Sequence, residues 1–269
     1  MRKRTLVHKF FADRGTHLAA MVAYFALLSF VPLVFLALSL FGLAHRADAS
    51  DFFVKELSRA FPGSSLDSII SLVRKVQDNA ATLGIVGALG LIWSSVSLFS
   101  ALESAFNIVY GRPNRPFLHG KVLAATLMLG MLVTLFASLV VGALGVEFMR
   151  RAAPGLPSAS WLAYVLSIAV SLLGVFGFLL AVYRLLTNAP VSIGEALPGA
   201  VLAAIVLEAS FQVLPLFVRF ADVNVTMRAL GGPAILLLWL YVMANVIVFG
   251  AEVNWWWAER RAVRGERPA

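Results

Sequence analysis

The residues of this sequence that can do chemistry are a few acids and amides set within long apolar runs. Glu208 lies inside one such run, Gln212 follows four positions later, and Pro215 comes shortly after it. Residues four apart share a helix face, and a proline frees a backbone carbonyl in the preceding turn. Because a carboxylate within a bilayer is costly unless it is paired, hydrated or protonated, we expect a hydrated site here that handles a proton or a substrate. A structural acid satisfied by hydroxyl or amide partners is the alternative.

A second set of polar side chains lies near the ends of apolar runs in three parts of the chain. We expect these acids and amides to form a polar cluster on the cytoplasmic side, with Arg184 and Lys121 as the candidate cationic partners. Ion pairing at helix ends is the alternative interpretation. The members of the predicted cluster are Glu103, Asn107, Arg184, Asn245, Glu252 and Asn254.

Ser29 and Pro32 interrupt the first apolar run. A proline inside a helix removes one backbone hydrogen bond and bends the helix, so the pair predicts a kink. Small residues at four-residue spacing, such as Ala19 and Ala23, permit close helix approach. We interpret them first as packing within a bundle and second as an interface between copies of the chain.

The composition excludes several classes of soluble chemistry. There are no cysteines, so thiol catalysis, disulfides and cysteine zinc sites are excluded, and the four histidines are dispersed. The chain has no glycine-rich phosphate loop, nucleophile elbow or paired aspartates that would hold two metals. Basic residues do not alternate with aromatic residues as a nucleic-acid surface would need. We therefore expect no enzyme, no cofactor, no metal site and no nucleic-acid partner.

The chain as a whole is far more apolar than a soluble domain. Of its 269 residues, 60% are hydrophobic and 13% are charged, against about 25% charged in ordinary domains. A membrane-spanning helix needs roughly 20 apolar residues, and six runs of this length are present. We predict an all-α polytopic membrane bundle of six transmembrane helices in one domain over 1–257, followed by a basic tail over 258–269. The predicted spans are about 18–43, 83–102, 122–146, 161–183, 197–217 and 231–253.

The distribution of basic residues predicts the orientation. With both termini inside, the inner segments hold 13 lysines and arginines and the outer segments hold 9. Positive charge favours the cytoplasmic side, so we expect both termini in the cytoplasm. The outer loop over 45–82 has two apolar stripes at helical spacing, separated by Pro62 and Gly63. It predicts an amphipathic helical hairpin, which packs on the outer bundle ends or lies in the outer interface.

Motifs in five of the runs resemble a known family. They keep their order along almost the whole chain, about residues 5 to 257. They are Ala23-Tyr24-Phe25-Ala26-Leu27-Leu28-Ser29, Leu102-Glu103-Ser104-Ala105-Phe106-Asn107, Tyr183-Arg184-Leu185-Leu186-Thr187-Asn188, Pro198-Gly199-Ala200 with Glu208, and Gly250-Ala251-Glu252-Val253-Asn254. The sequence is similar to the YihY/BrkB family of bacterial inner-membrane proteins, once mislabelled as ribonuclease BN. Thr187 stands where that family usually has proline.

The resemblance implies a multi-pass protein of the bacterial inner membrane connected with envelope integrity. Our first hypothesis is a transporter or flippase for an envelope lipid or amphiphile, with Glu208 as the proton or head-group site. The second is a scaffold for envelope assembly that does not transport. Ribonuclease activity is disfavoured because the acids are dispersed among membrane spans. The expected partners are membrane lipids, the transported amphiphile and further copies of the chain.

Overall fold

The computed structural model describes residues 5–43, 80–127, 129–130, 159–223 and 232–263. Within these ranges all regular secondary structure is helical, as predicted. Seven helices lie in the described part of the chain. They are α1 (Leu6–Ala12), α2 (Gly15–Leu43), α3 (Ala80–Val109), α4 (Phe117–Leu127), α5 (Ala159–Leu186), α6 (Ile193–Val223) and α7 (Gly232–Val263).

Three helices are long and apolar enough to cross a membrane. Their candidate spans are Gly87–Val109 in α3, Ile193–Val213 in α6 and Pro233–Val263 in α7. They correspond to the second, fifth and sixth predicted runs. The helices of the other three runs carry shorter apolar stretches among the described residues, namely Gly15–Phe30, Phe117–Leu127 and Ser171–Leu186. The total of six spans stays a prediction. The predicted hairpin in the loop over 45–82 lies outside the described residues, except for positions 80–82.

The chain forms two compact units. The first unit comprises Met1–Gly15, Glu103–Ala209 and Val246–Ala269. Its core includes the fully buried side chains of Phe106, Leu179, Tyr183 and Val248. The rings of Phe106 and Tyr183 lie with their centroids 5.2 Å apart. Burial of such large side chains is the main favourable contribution to the packing of this unit.

Helix α1 belongs to the first unit, and the hydropathy pattern does not predict it. A turn at Arg14, with a positive φ of 57°, follows the helix. A side chain at Gly15 would overlap the ring of Phe10, so the absence of a side chain there lets α1 pack closely. The ring of Phe10 also lies 5.6 Å from that of Phe249. This packing brings α1 against α7.

The second unit comprises Thr16–Leu102 and Ser210–Asn245. Helix α2 continues through Pro32 to Leu43, and the hydroxyl of Ser29 donates a hydrogen bond to the carbonyl of Phe25 at 2.9 Å. A Cβ at Gly90 would lie 3.3 Å from the ring of Pro32. Helix α3 therefore packs closely against the proline that was predicted to bend α2.

Candidate functional site

The first unit contains a buried ion pair between its N-terminal helix and α7. The ammonium of Lys9 donates hydrogen bonds to Glu252 Oε2 at 2.8 Å and to the carbonyl oxygen of Val109 at 2.9 Å. It also pairs with Asp13 and lies 4.2 Å from the centroid of a Trp255 ring. The side chain of Lys9 is 9% exposed and that of Glu252 is fully buried. Lys9 therefore compensates a carboxylate that water does not reach.

Helices α6 and α7 approach each other at two glycines. A side chain at Gly199 would overlap the carbonyl oxygen of Gly250, and one at Gly250 would overlap the hydroxyl of Tyr183. The amide oxygen of Asn254 accepts a hydrogen bond from the backbone N–H of Gly199 at 2.6 Å. Tyr183 donates its hydroxyl to the carbonyl of Ile247 at 2.8 Å. Close glycine contact thus allows polar side chains to tie α5, α6 and α7 together.

Arg115 closes the end of α5 by binding carbonyl groups that have no partner within the helix. Its guanidinium donates to the carbonyl oxygens of Leu185, Leu186 and Thr187 at 3.0, 2.5 and 2.9 Å. It also pairs with Glu103 at 3.4 Å. One arginine therefore fixes α3 and α5 to the segment between α3 and α4.

Asn107 links the end of α3 to the turn after α5. Its Oδ1 accepts a hydrogen bond from the backbone N–H of Asn188 at 2.7 Å, and its Nδ2 donates to Asn114 at 3.0 Å. Asn188 in turn donates its Nδ2 to the carbonyl of Pro113 at 2.9 Å. The turn that holds Thr187 is thus tied to the loop after α3, and Thr187 itself donates to the carbonyl of Tyr183 at 2.7 Å.

Three buried polar atoms in this unit have no hydrogen-bond partner among the described residues. They are the Tyr110 hydroxyl, Oε1 of Glu252 and Nδ2 of Asn254. Most buried polar groups in proteins are hydrogen-bonded, so each such atom calls for an explanation. A ligand or ordered water would satisfy them.

The ends of α3, α5 and α7 and the beginning of α6 line an open cavity of about 880 Å³, which we call the helix-end cavity. It combines ionic, hydroxyl and apolar groups, and its volume is typical of small-molecule sites. Its polar lining consists of Tyr110, Arg112, Arg184, Ser192, Glu195 and Glu259. Its apolar and aromatic lining consists of Leu185, Ala189, Pro190, Val191, Trp255 and Ala258.

A capping box forms the α6 side of this cavity. The N–H of Glu195 donates to the hydroxyl of Ser192 at 3.3 Å, and the N–H of Ser192 donates to Glu195 Oε2 at 2.9 Å. This reciprocal arrangement satisfies two backbone donors at the helix start. The spacing Ser-x-x-Glu is a sequence signal that could have located this end of α6.

Tyr110 lines the cavity, and its hydroxyl is buried. Burial raises the pKa of this phenol well above its ordinary value, and the carboxylates of Glu195 and Glu252 raise it further. The group is therefore neutral at physiological pH and able to donate a hydrogen bond. Its oxygen is buried and has no hydrogen-bond partner among the described residues.

The residues of the predicted intramembrane site lie in different surroundings. Glu208 belongs to the first unit, where it is buried and accepts a hydrogen bond from the Ser171 hydroxyl at 2.9 Å. Gln212 and Pro215 belong to the second unit and lie on the same continuous helix, α6. Gln212 is exposed and takes part in a side-chain or backbone interaction with another residue. A hydroxyl partner for Glu208 accords with the alternative of a satisfied acid, and the hydrated site stays a prediction.

The predicted cytoplasmic-side cluster is divided in the structure. Five of its six members lie in the first unit, and Asn245 lies in the second, where it donates to the carbonyl of Tyr241 at 2.7 Å. The cations also differ from the expectation, because Glu252 pairs with Lys9 and Glu103 with Arg115. Arg184 is exposed and lines the cavity instead.

Sequence reasoning missed Lys9 and Arg115 because their partners are far away along the chain. Lys9 lies 243 positions from Glu252, and α1 must fold back for the two to meet. Lys121, the other predicted cation, lies 5.4 Å from the Phe117 ring centroid.

Within the described residues no three histidines or acids lie close enough together to hold a metal ion.

Comparison with known proteins places the chain among bacterial membrane proteins. It matches the family described as Virulence factor BrkB over residues 6–269. A protein of Bacillus subtilis (strain 168), YfkH, whose name describes it as ribonuclease-like, is 26% identical over 98% of this chain and 98% of its own length. UPF0761 membrane proteins of Azoarcus sp. (strain BH72) and Aliivibrio salmonicida (strain LFI1238) are 28% and 26% identical.

The coverage of the membrane-protein relatives is uneven. The alignments include 93% and 94% of this chain, but 62% of the Azoarcus protein and 80% of the Aliivibrio protein. No solved structure matches the chain. The family resemblance predicted from the motifs is confirmed by the match over nearly the whole sequence. Together with its membrane-length apolar helices, this match identifies the chain as a membrane protein of the BrkB family.

Proposed function

We propose that this protein moves an envelope lipid or a related amphiphile across the bacterial inner membrane. The observation that carries the proposal is the helix-end cavity, where charged side chains and apolar side chains line the same space. An amphiphile needs both kinds of lining, one for its head group and one for its hydrocarbon part. A protein that serves only as a scaffold has no need for such a space.

The lining also accords with a position at head-group depth. Trp255 lines the cavity and begins a run of three tryptophans, a residue enriched at membrane interfaces. Arg260 lies 3.5 Å from the centroid of a Trp256 ring, and Arg261 lies 5.6 Å from that of Trp257. In the proposed topology both termini and this end of the first unit face the cytoplasm, where basic residues contact anionic lipids.

Glu208 is the proposed polar position along the path of the amphiphile. Its carboxylate is buried and bonded to Ser171, and acids within membrane helices commonly mark substrate or proton pathways. The exchange Glu208→Gln keeps the shape of the side chain and removes its charge. Full activity in a correctly inserted Glu208→Gln protein would show that this charge takes no part in transport.

The proposal assigns no enzymatic activity, cofactor or nucleic-acid partner to the protein. YfkH carries a ribonuclease-like name, but Glu103, Glu195, Glu208 and Glu252 of this chain are distributed among ion pairs, a helix cap and a hydroxyl contact. Hydrolysis of RNA needs clustered metal ligands or an acid–base pair in water. RNA degradation by the purified protein that is lost in acid-to-amide variants would contradict this part of the proposal.

The test is lipid movement in proteoliposomes. A fluorescent lipid is placed in one leaflet, and its appearance in the other is followed with a membrane-impermeant quencher. Ala189→Trp fills the helix-end cavity and should abolish the movement, whereas Ala20→Trp, at an exposed position outside the first unit, should leave it unchanged. Movement no faster than in protein-free vesicles, across all envelope lipid classes, would overturn the proposal and favour a scaffold.

A further inference from the structure

The charges that line the helix-end cavity have both signs, and the two signs come from different elements. Arg112 follows α3 and Arg184 lies near the end of α5, whereas Glu195 belongs to the first turn of α6 and Glu259 to the last part of α7. Two positive and two negative side chains give the lining no net formal charge. A purely anionic ligand would face two carboxylates, and a purely cationic ligand would face two guanidinium groups.

Three of these four side chains are available to a ligand. Arg112, Arg184 and Glu259 are exposed, and none of them forms an ion pair with another described residue. Glu195 is buried, and its Oε2 holds the backbone N–H of Ser192. It therefore contributes a fixed negative charge to the α6 side of the cavity.

The two arginines of the lining are suited to a phosphate. A guanidinium presents several N–H donors in a plane that matches phosphate oxygens. Tyr110 lines the same cavity, and its hydroxyl is buried and has no hydrogen-bond partner among the described residues.

The acidic and aromatic groups of the lining are suited to an ammonium. Glu259 supplies a carboxylate from α7, and Trp255 supplies an aromatic ring from the same helix. Carboxylates and tryptophan faces both attract organic cations. The ring of Trp255 already lies 4.2 Å from the ammonium of Lys9, so Glu259 is the main contact that we assign to a ligand cation.

We infer that the helix-end cavity binds a zwitterionic head group, a phosphodiester joined to an ammonium, with Arg112 and Arg184 on the phosphate and Glu259 on the ammonium. This inference rests on the proposed function for its biological meaning, because the bound amphiphile would be the one that is moved. The same chemistry occurs in phosphatidylethanolamine and in the soluble glycerophosphoethanolamine. The apolar lining at Leu185, Pro190 and Val191 favours the lipid.

The experiment measures lipid retention by the purified full-length protein. Protein is incubated in detergent with equal amounts of phosphatidylethanolamine, phosphatidylglycerol and a trimethylammonium lipid of the same acyl chains, and bound lipids are quantified by native mass spectrometry. The wild type should retain phosphatidylethanolamine about tenfold more than either singly charged lipid, since each of those satisfies one side of the cavity only. Equal retention, or a preference for a singly charged lipid, would overturn the inference.

Charge variants make the test specific to the cavity. Glu259→Gln leaves the lining with one excess positive charge and should raise the retention of phosphatidylglycerol. Arg184→Gln leaves one excess negative charge and should raise that of the trimethylammonium lipid. Arg260→Gln, the matched control, removes the same charge from a side chain that lies against Trp256 and outside the lining. The inference would be overturned if Glu259→Gln and Arg184→Gln both shifted retention toward the same lipid. It would also be overturned if Arg260→Gln shifted retention as much as Arg184→Gln does.

Two further arms separate the sources of the ligand and the two proposals. Competition by glycerophosphoethanolamine would support recognition of the head group alone, whereas selective lipid retention without such competition would assign the site to a membrane lipid. Non-selective retention by a protein that still moves lipid in vesicles would overturn the head-group inference and leave transport standing. Selective retention of phosphatidylethanolamine by a protein that moves no lipid would support the head-group inference and overturn the proposed transport.

Discussion

Exchange of Lys9 for methionine tests the buried ion pair between Lys9 and Glu252. Methionine keeps most of the length of the side chain but removes the ammonium. In the wild type this ammonium lies 2.8 Å from Glu252 Oε2, and the other carboxylate oxygen has no partner among the described residues. Lys9→Met would therefore leave a buried carboxylate with no compensating charge.

The size of the effect follows from this burial. Removing one partner of a buried ion pair costs about 3–5 kcal/mol in the free energy of unfolding, because the remaining charge is desolvated. Glu252→Gln leaves Lys9 bound to Asp13 and to the carbonyl of Val109, so we expect a loss of about 1–3 kcal/mol. The double variant, Lys9→Met with Glu252→Gln, has no uncompensated charge at position 252. It should be more stable than Lys9→Met alone.

The assay is equilibrium unfolding in mixed micelles of a mild detergent and dodecyl sulfate, followed by tryptophan fluorescence. The four proteins of the cycle give a coupling free energy, which we expect to be at least about 1.5 kcal/mol. Arg260→Met is the control, because Arg260 is exposed and lies against the Trp256 ring. The reasoning would be refuted if the double variant lost the sum of the unfolding free energies that the two single variants lose. It would also be refuted if Lys9→Met were as stable as the wild type.

Three further variants test the contacts that hold the first unit together. Gly199→Ala should abolish recovery of folded protein in size-exclusion chromatography, because its Cβ would overlap the backbone of Gly250, whereas Gly174→Ala, which meets no atom within 4 Å, should be tolerated. Arg115→Gln should destabilise the protein by about 2 kcal/mol in the same unfolding assay, since three carbonyl groups at the end of α5 lose a charged donor; an unchanged midpoint would contradict this role. Ser192→Ala should cost about 1 kcal/mol through loss of the helix cap, and a Ser192→Asp variant as stable as the wild type would support capping as the cause.

The sequence was sufficient for the helical class, the membrane setting and the family. These depend on properties that are local along the chain, namely the length of apolar runs and the order of short motifs. The runs around α3, α6 and α7 produced helices that are apolar over membrane length. The sequence also located several of the acids and amides that are buried in the first unit, because a polar residue next to an apolar run is visible without coordinates. Glu103, Asn107, Glu252 and Asn254 are examples.

The tertiary structure decided which groups these residues contact. Lys9 reaches Glu252 only because α1 folds back against α7, which the missing side chain at Gly15 permits. Asn254 reaches Gly199 only because Gly199 and Gly250 allow α6 and α7 to touch. No local pattern encodes a partner that lies 243 positions away. The helix-end cavity is likewise a property of the fold, since its charges come from the ends of several helices that the sequence separates. Hydropathy determines that a segment enters the bilayer, but the side-chain partners at its ends depend on how closely neighbouring backbones approach.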